Sequence, residues 1–434
     1  MKRYAAFAAT LAAGAASPAF AAPALLAHQT PLVLDGAATA WILTSTALVL
    51  LMTLPGLALF YGGMVRKKNI ISVVAQSAAA FAIVSVLWFL VGYSLSFGKG
   101  PDAVNGFIGG VQAAFLNGVT AQTAHSLLPG LPELLFVSFQ MTFAIITPAL
   151  IAGAFAERMK FAASLLFFAL WHLIVYAPIC HQVWGGGWLG GLGVLDFAGG
   201  AVVHVNAGVA GLVCALVLGP RHGFGRDNMA PANLVYSAIG TGLLLVGWLG
   251  FNAGSAGAAD ALAATAAFNT ILAAGAAALG WMTIEWFDRK RPTLLGLLSG
   301  IVGGLVAITP AAGFVDPKGA FFIGLIGGPA CYAGAVWLKH ALKYDDSLDA
   351  FGVHGVGGIV GALLTGLFAT TTVNALSDGA TVWKQAVGLV GVIVWSAAGT
   401  FVVLMICKFT TGLRVTKDQE VEGLDYTQHG EAIH

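Results

Sequence analysis

Charge is what this sequence has least of. Only 9% of its 434 residues are Asp, Glu, Lys or Arg, whereas a water-soluble domain carries about 25%. That excludes a soluble globular enzyme. The formal net charge is +1, so no excess of one sign marks a polyanion partner, and nucleic-acid binding is not indicated. Cysteine is scarce too. Cys180, Cys214, Cys331 and Cys407 lie in or at the edges of apolar runs and form no CxxC. Neither a zinc site nor a disulfide framework is indicated, and buried core thiols remain. The chain has no TVGYG filter, no acidic ring and no arginine-rich span, so potassium, chloride and voltage-gated channels lose support. No set of buried carboxylates stands ready to coordinate sodium.

What is abundant is apolar surface. The hydrophobic set makes up 58% of residues, and the 58 glycines follow no G-X-Y period. Glycine scattered among Leu, Ala, Phe and Trp suits close helix packing in lipid. We therefore expect one all-α, polytopic membrane body. A spanning helix needs about 20 predominantly apolar residues. Eleven segments qualify, near 38–61, 70–96, 133–155, 161–180, 199–219, 231–251, 261–286, 294–310, 319–341, 352–372 and 384–409.

Upstream, Lys2 and Arg3 precede an apolar stretch, and Ala19-Phe20-Ala21 supplies an A-x-A site. This is a signal-peptide pattern with cleavage after Ala21 or Ala22, and it places the mature N-terminus outside a bacterial inner membrane. With that start, 15 Lys and Arg fall in inward loops and only Lys99, Lys318 and Lys384 fall outward. Cytoplasmic loops favour such residues, so the bias supports eleven spans with N out and C in. The chain divides into a signal peptide at 1–21, a membrane domain at 22–409 and a polar cytoplasmic tail at 410–434.

Three pairs of segments echo one another. Gly56-Leu57-Ala58-Leu59-Phe60-Tyr61-Gly62-Gly63 matches Gly247-Trp248-Leu249-Gly250-Phe251-Asn252-Ala253-Gly254. Ile146-Thr147-Pro148-Ala149 matches Ile308-Thr309-Pro310-Ala311, and His204-Val205-Asn206-Ala207-Gly208 matches His354-Gly355-Val356-Gly357-Gly358. They fall in spans 1 and 6, 3 and 8, and 5 and 10. Five is odd, so the second copy runs inverted, the mark of a transporter whose pathway lies between the halves.

A charge at the helix centre costs about 2.5–3.5 kcal/mol or more, so intramembrane ionisable residues call for a reason. His204 and His354 hold equivalent positions in the two copies, where an inverted two-fold brings them together. Such a pair can share a hydrogen bond and pass protons. Asp196 stands eight residues before His204 and suits a helix N-cap, and a carboxylate there also favours a cation at the outer mouth. Asp349, five residues before His354, is expected to cap as well. Phe139, Phe143, Trp184, Trp248 and Phe251 are expected to cluster at the outer ends, where a cation over a ring gains about 0.5–2 kcal/mol. Ser255 could add a hydroxyl.

On these residues the chain resembles the ammonium transporter family, the Amt/Mep/Rhesus superfamily, and within it the bacterial ammonium channel type. The motifs are Asp196-Phe197-Ala198-Gly199-Gly200 with His204, Gly250-Phe251-Asn252-Ala253-Gly254-Ser255, Phe351-Gly352-Val353-His354-Gly355 and Gly153-Ala154-Phe155-Ala156-Glu157-Arg158. The resemblance covers the whole mature chain. It implies an eleven-helix fold, a homotrimer with one pore in each subunit, transport rather than catalysis, and no cofactor or metal. It implies an outer ammonium site at Phe143, Trp184 and Ser255 with Asp196 in support, a gate of Phe143 and Phe251, and twin pore histidines His204 and His354. Ammonium would be captured, deprotonated and passed as ammonia. The tail segments Gly412-Leu413-Arg414-Val415, Glu420, Gly423-Leu424-Asp425 and His429-Gly430-Glu431 resemble the family's tail, which implies docking of a PII-type nitrogen regulatory protein. The alternatives are a Rhesus-like passive gas channel, an ammonium sensor and a sodium- or proton-coupled carrier. Trp184 and Ser255 weigh against the gas channel, which needs no cation site. The short tail weighs against a dedicated sensor.

Overall fold

A computed structural model describes residues 26–433. The expected signal peptide at 1–21 lies outside the described residues. The all-α expectation holds, save for a two-stranded sheet in which β1 (Gln29–Pro31) pairs antiparallel with β2 (Thr123–His125).

Among the described residues, ten helices are long and apolar enough to cross a membrane: α1 (Gly36–Met64), α2 (Lys67–Phe97), α3 (Glu133–Phe155), α4 (Phe161–Leu192), α5 (Gly200–Leu218), α6 (Leu234–Ala253), α7 (Ala261–Arg289), α9 (Pro317–Leu342), α10 (Phe351–Phe368) and α11 (Val382–Thr410). The eighth expected span is shorter. Helix α8 (Leu294–Ile308) has 15 residues, or about 22 Å at 1.5 Å per residue, against a hydrocarbon core of about 30 Å. It was expected to run to residue 310. It stops at Ile308 because Pro310 has no N–H to continue the ladder. The Pro310 carbonyl instead accepts from Phe197 N at 3.1 Å. Helix starts follow the cap rule: Asp35, Asn233, Asp260, Thr293, Asp316 and Thr381 each accept a backbone N–H of the first turn.

Seven of the helices widen locally into a π-helical turn, an arrangement that recurs where helices serve function. Both members of three repeat pairs carry one: α1 (Met52–Leu57) and α6 (Leu249–Ala253), α4 (His172–Tyr176) and α9 (Ala333–Leu338), α5 (Gly200–Val205) and α10 (Phe351–Gly355). Packing across the last pair is reciprocal. A Cβ on Gly208 would lie 2.2 Å from Gly355 N, and a Cβ on Gly358 would lie 3.1 Å from Val205 N. Gly208 and Gly358 are equivalent in the sequence repeat, as are Val205 and Gly355. The same contact is therefore made twice with the roles exchanged, as a two-fold axis requires. Only glycine permits so close a backbone approach. Helix α5 forms the buried centre, while α11 is the least covered of the ten, with 33% of its most apolar window buried against 78% for α5. All four cysteines are buried and free.

A tail of two short helices, α12 (Lys417–Glu422) and α13 (Leu424–His429), closes the chain.

Candidate functional site

Asp196 organises the outer end of α5. Its Oδ1 accepts from Gly199 N at 3.0 Å and Gly200 N at 2.6 Å, and its Oδ2 from Ala201 N at 2.9 Å and Val202 N at 3.0 Å. One carboxylate thus satisfies the four orphan donors of a helix start. It does so at the positive end of the helix dipole, where an anion is favoured. The Asp196 carbonyl accepts from Trp184 Nε1 at 2.8 Å, which fixes the indole at the mouth.

Trp184, Phe143, Ser255 and Asp196 line one outer cavity of about 350 Å³, so the structure brings all four expected recruitment residues together. The Phe143 ring meets the Trp184 ring edge-on, with centroids 5.9 Å apart and planes at 87°. Ser255 Oγ donates to Phe251 O at 2.8 Å, which leaves its lone pairs to accept from a guest. Phe143 and Phe251 close the floor, their centroids 4.3 Å apart and both side chains buried.

Below that floor lie the histidines. The rings of His204 and His354 are nearly parallel, at 14°, with Nδ1···Nδ1 at 3.2 Å. For that contact to be a hydrogen bond, one ring carries its proton on Nδ1 and the other on Nε2. His204 Nε2 is buried and has no protein partner among the described residues. The cavity beside the pair measures about 10 Å³, room for about one water-sized molecule. Its other walls include Leu57, Phe60, Ile146 and Leu244.

Two expected placements change. Trp248 was grouped with the outer aromatics, but it stacks on His204 with centroids 5.3 Å apart. Its Nε1 donates to Thr309 Oγ1 at 2.9 Å. Asp349 was expected to cap α10, but Asp346 does so, accepting from Ala350 N at 3.1 Å and Phe351 N at 2.7 Å. Asp349 instead has a left-handed φ of 59° and pairs with Lys339. The signal for Asp346 was present: it stands eight residues before His354, as Asp196 stands eight before His204. Phe60 was also passed over, although the repeat aligns it with Phe251 and Leu57 with Trp248. Gln140, whose Oε1 is buried without a partner, lines the outer cavity and had no sequence signal.

The face opposite that cavity is built from buried charge. Glu157 takes Arg66 Nε at 3.0 Å and Arg221 Nη1 at 3.0 Å, while Arg221 also grips Asp345 through Nε at 2.9 Å and Nη2 at 2.8 Å. Burial alone would push the Glu157 and Asp345 carboxyls up, but the arginines beside them hold both below the usual range. The tail is stitched onto this face. Arg414 pairs with Glu420 at 2.7 Å, Asp425 accepts from Ser72 N at 2.8 Å, and Asn69 accepts from Leu424 N at 2.8 Å.

Comparison with known proteins agrees with this geometry. Residues 40–433 match the Ammonium Transporter Family. An "Ammonium transporter" of Bacillus subtilis strain 168 is 50% identical over 396 residues, covering 89% of this chain and 96% of that protein. An "Ammonium transporter" of Aquifex aeolicus strain VF5 is 48% identical, with coverage of 94% and 96%. Among solved structures, Saccharomyces cerevisiae Mep2 is similar at TM-score 0.82 and 38% identity, covering 89% of each chain. A structure described as "Sensor Amt Protein" is similar at TM-score 0.83 and 32% identity, covering 91% of this chain and 98% of that one. A multi-pass helical body with an aromatic cavity, a phenylalanine floor and paired histidines beneath it, matched by the family along nearly all its length, makes this chain a member of the Ammonium Transporter Family, whose proteins are membrane transporters and not enzymes.

Proposed function

We propose that the protein carries ammonium nitrogen across a bacterial inner membrane as ammonia. The observation that carries this reading is a single line of groups: the outer cavity, the Phe143–Phe251 floor, then the His204–His354 pair. Phe143, Trp184 and Ser255 receive the cation, and Asp196 supports the mouth. A bare ion entering the narrow, apolar neck would lose tens of kcal/mol of hydration by idealised Born estimates. Potassium resembles ammonium in size and charge but has no proton to shed. Ammonium deprotonates near the floor and passes the histidines as ammonia, and the free Nε2 of His204 can hydrogen-bond it there. The proton can cross separately along the paired imidazoles, which would make transport electrogenic.

The same reading gives α8 and the turns after it the role of an eleventh crossing, with the N-terminus outside and the tail inside. It includes cleavage of residues 1–21, a membrane domain at 22–409, a tail at 410–434, a homotrimer with one pore per subunit, and a PII-type protein docking at the cytoplasmic face. The likeness to a "Sensor Amt Protein" gives a second reading, in which the chain reports ammonium as well as moving it. The test is uptake of labelled methylammonium into proteoliposomes with current recorded in parallel. Uptake and current rising together support ammonium capture with a moving proton. Uptake without current points to the passive gas channel. Saturable ammonium binding with neither points to the sensor.

A further inference from the structure

We propose that the cleft between the α5–α6 loop and the tail binds a phosphate monoester. The cleft has a volume of about 370 Å³, and Arg221, His222, Arg226, Arg414, Lys417 and Glu420 are among its walls. Most of the charge is already matched. Arg414 is paired with Glu420 at 2.7 Å, and Arg221 is committed to Asp345 and Glu157. Glu420 spends its other oxygen on His222 N at 2.5 Å, so the one carboxylate of the lining is fully used. Arg226 and Lys417 remain. Both are exposed, and neither makes an ion pair or side-chain hydrogen bond among the described residues. Asp227, the loop's own acid, lies against Gly223 and is not part of the lining.

Two uncommitted cations facing one cleft match the charge of a monoester, about −1.5 to −2 at neutral pH. A guanidinium offers two parallel donors to phosphate oxygens, and an ammonium adds a point charge. The cleft is larger than a phosphate group alone needs, and Pro220 and Phe224 give it an apolar wall for the organic part. Arg226 belongs to the loop and Lys417 to the first turn of α12. A ligand held by both ties the tail to the membrane body beside the Arg414–Glu420 latch. This inference does not depend on the transport reading.

The test uses the full-length protein in detergent. Phenyl phosphate and inorganic phosphate are titrated by calorimetry, and retention of phosphatidic acid against phosphatidylcholine is measured by native mass spectrometry. The proposal expects saturable binding of a monoester probe, weakened about tenfold by Arg226→Gln and by Lys417→Gln singly, or about 1.4 kcal/mol each, and further by both. Hydrogen exchange at 417–429 should slow on binding. Phenyl phosphate binding identifies a soluble ligand and selective phosphatidic acid retention a lipid headgroup, and each supports the site. No saturable binding of any probe, or binding indifferent to both substitutions, overturns it.

Discussion

Asp196 and Asp346 hold equivalent positions, each eight residues before a histidine of the buried pair and each capping a central helix. Their surroundings differ in kind. Asp196 spends its whole carboxylate on four N–H donors and sits in the wall of an otherwise neutral, aromatic cavity. Asp346 accepts two N–H donors and stands among Lys339, Asp349 and the Arg221–Asp345 pair. One inverted scaffold thus carries two different ends. The Asp196 end leaves its carboxylate on helix donors alone, the feature that the proposed cation site draws on. The inner end matches charge with charge and fastens the tail.

The largest effect should come from breaking the inner network. Arg221 joins Asp345 to Glu157, and both carboxylates are fully buried side chains. Removing one partner of a buried pair typically costs about 3–5 kcal/mol, because the other charge stays behind. Arg221→Met should lower the thermal unfolding temperature by many degrees. A shift no larger than that of an exposed control such as Lys318→Gln would show that the network is not what holds this face together.

Next comes Asp196. A substitution to Asn cannot isolate charge from capping, because both oxygens accept two donors each. Asn keeps one acceptor oxygen and turns an NH2 toward two N–H groups. Asp196→Asn should therefore lose both stability, by about 2–3 kcal/mol for the unmet donors, and transport, by about a hundredfold. Transport near the parent level would break the comparison, since the outer carboxylate would then matter no more than an ordinary cap.

Asp346 adds a test of the inner end through pH. Burial and then the neighbouring Asp349 push its carboxyl up to about 6, against Lys339 and the N–H donors. A carboxyl with a raised folded pKa holds its proton more tightly when folded. Its contribution to stability is full below about pH 4 and is lost as pH climbs through 6. Between those values the parent should lose stability relative to Asp346→Asn, by a few degrees of unfolding temperature. Parallel pH curves for the two proteins would show that Asp346 holds its proton no more tightly when folded.

The sequence carried the body of this fold because the bilayer writes long apolar runs and a charge bias that loops do not blur. His204, His354, Phe143, Trp184, Phe251 and Asp196 were legible for a different reason: ionisable or aromatic groups in an apolar chain stand out, and Ser255 was read from its place after Phe251 and from the family resemblance. What stayed hidden was three-dimensional. Trp248 was expected among the aromatics of the outer cluster, and only packing shows it stacked on His204. Asp349 was expected to be the cap and Asp346 was passed over, yet the cap geometry selects the residue whose oxygens reach the first-turn donors. Pro310 in the sequence was enough to end α8 early, but that its carbonyl is taken by Phe197, far away in the chain, was not. The tail read as a polar segment with a docking role, and its ties to Ser72, Asn69 and Leu218 could not be seen in composition.

The smallest expected effect tests the outer end most directly. Trp184 reaches the cavity wall with its Nε1 bonded to the Asp196 carbonyl and its ring set against Phe143. A cation over such a ring gains about 0.5–2 kcal/mol, or roughly two- to thirtyfold in affinity. Trp184→Leu keeps the wall apolar but removes the quadrupole and the indole donor. Half-saturation for ammonium should rise within that range, and the preference for ammonium over methylammonium should shift. The maximal rate should change less, because the Phe143–Phe251 floor and the histidine pair remain in place. Unchanged half-saturation and preference would make Trp184 an interface anchor, and the cation preference of the outer end would then rest on Asp196 and Ser255 alone.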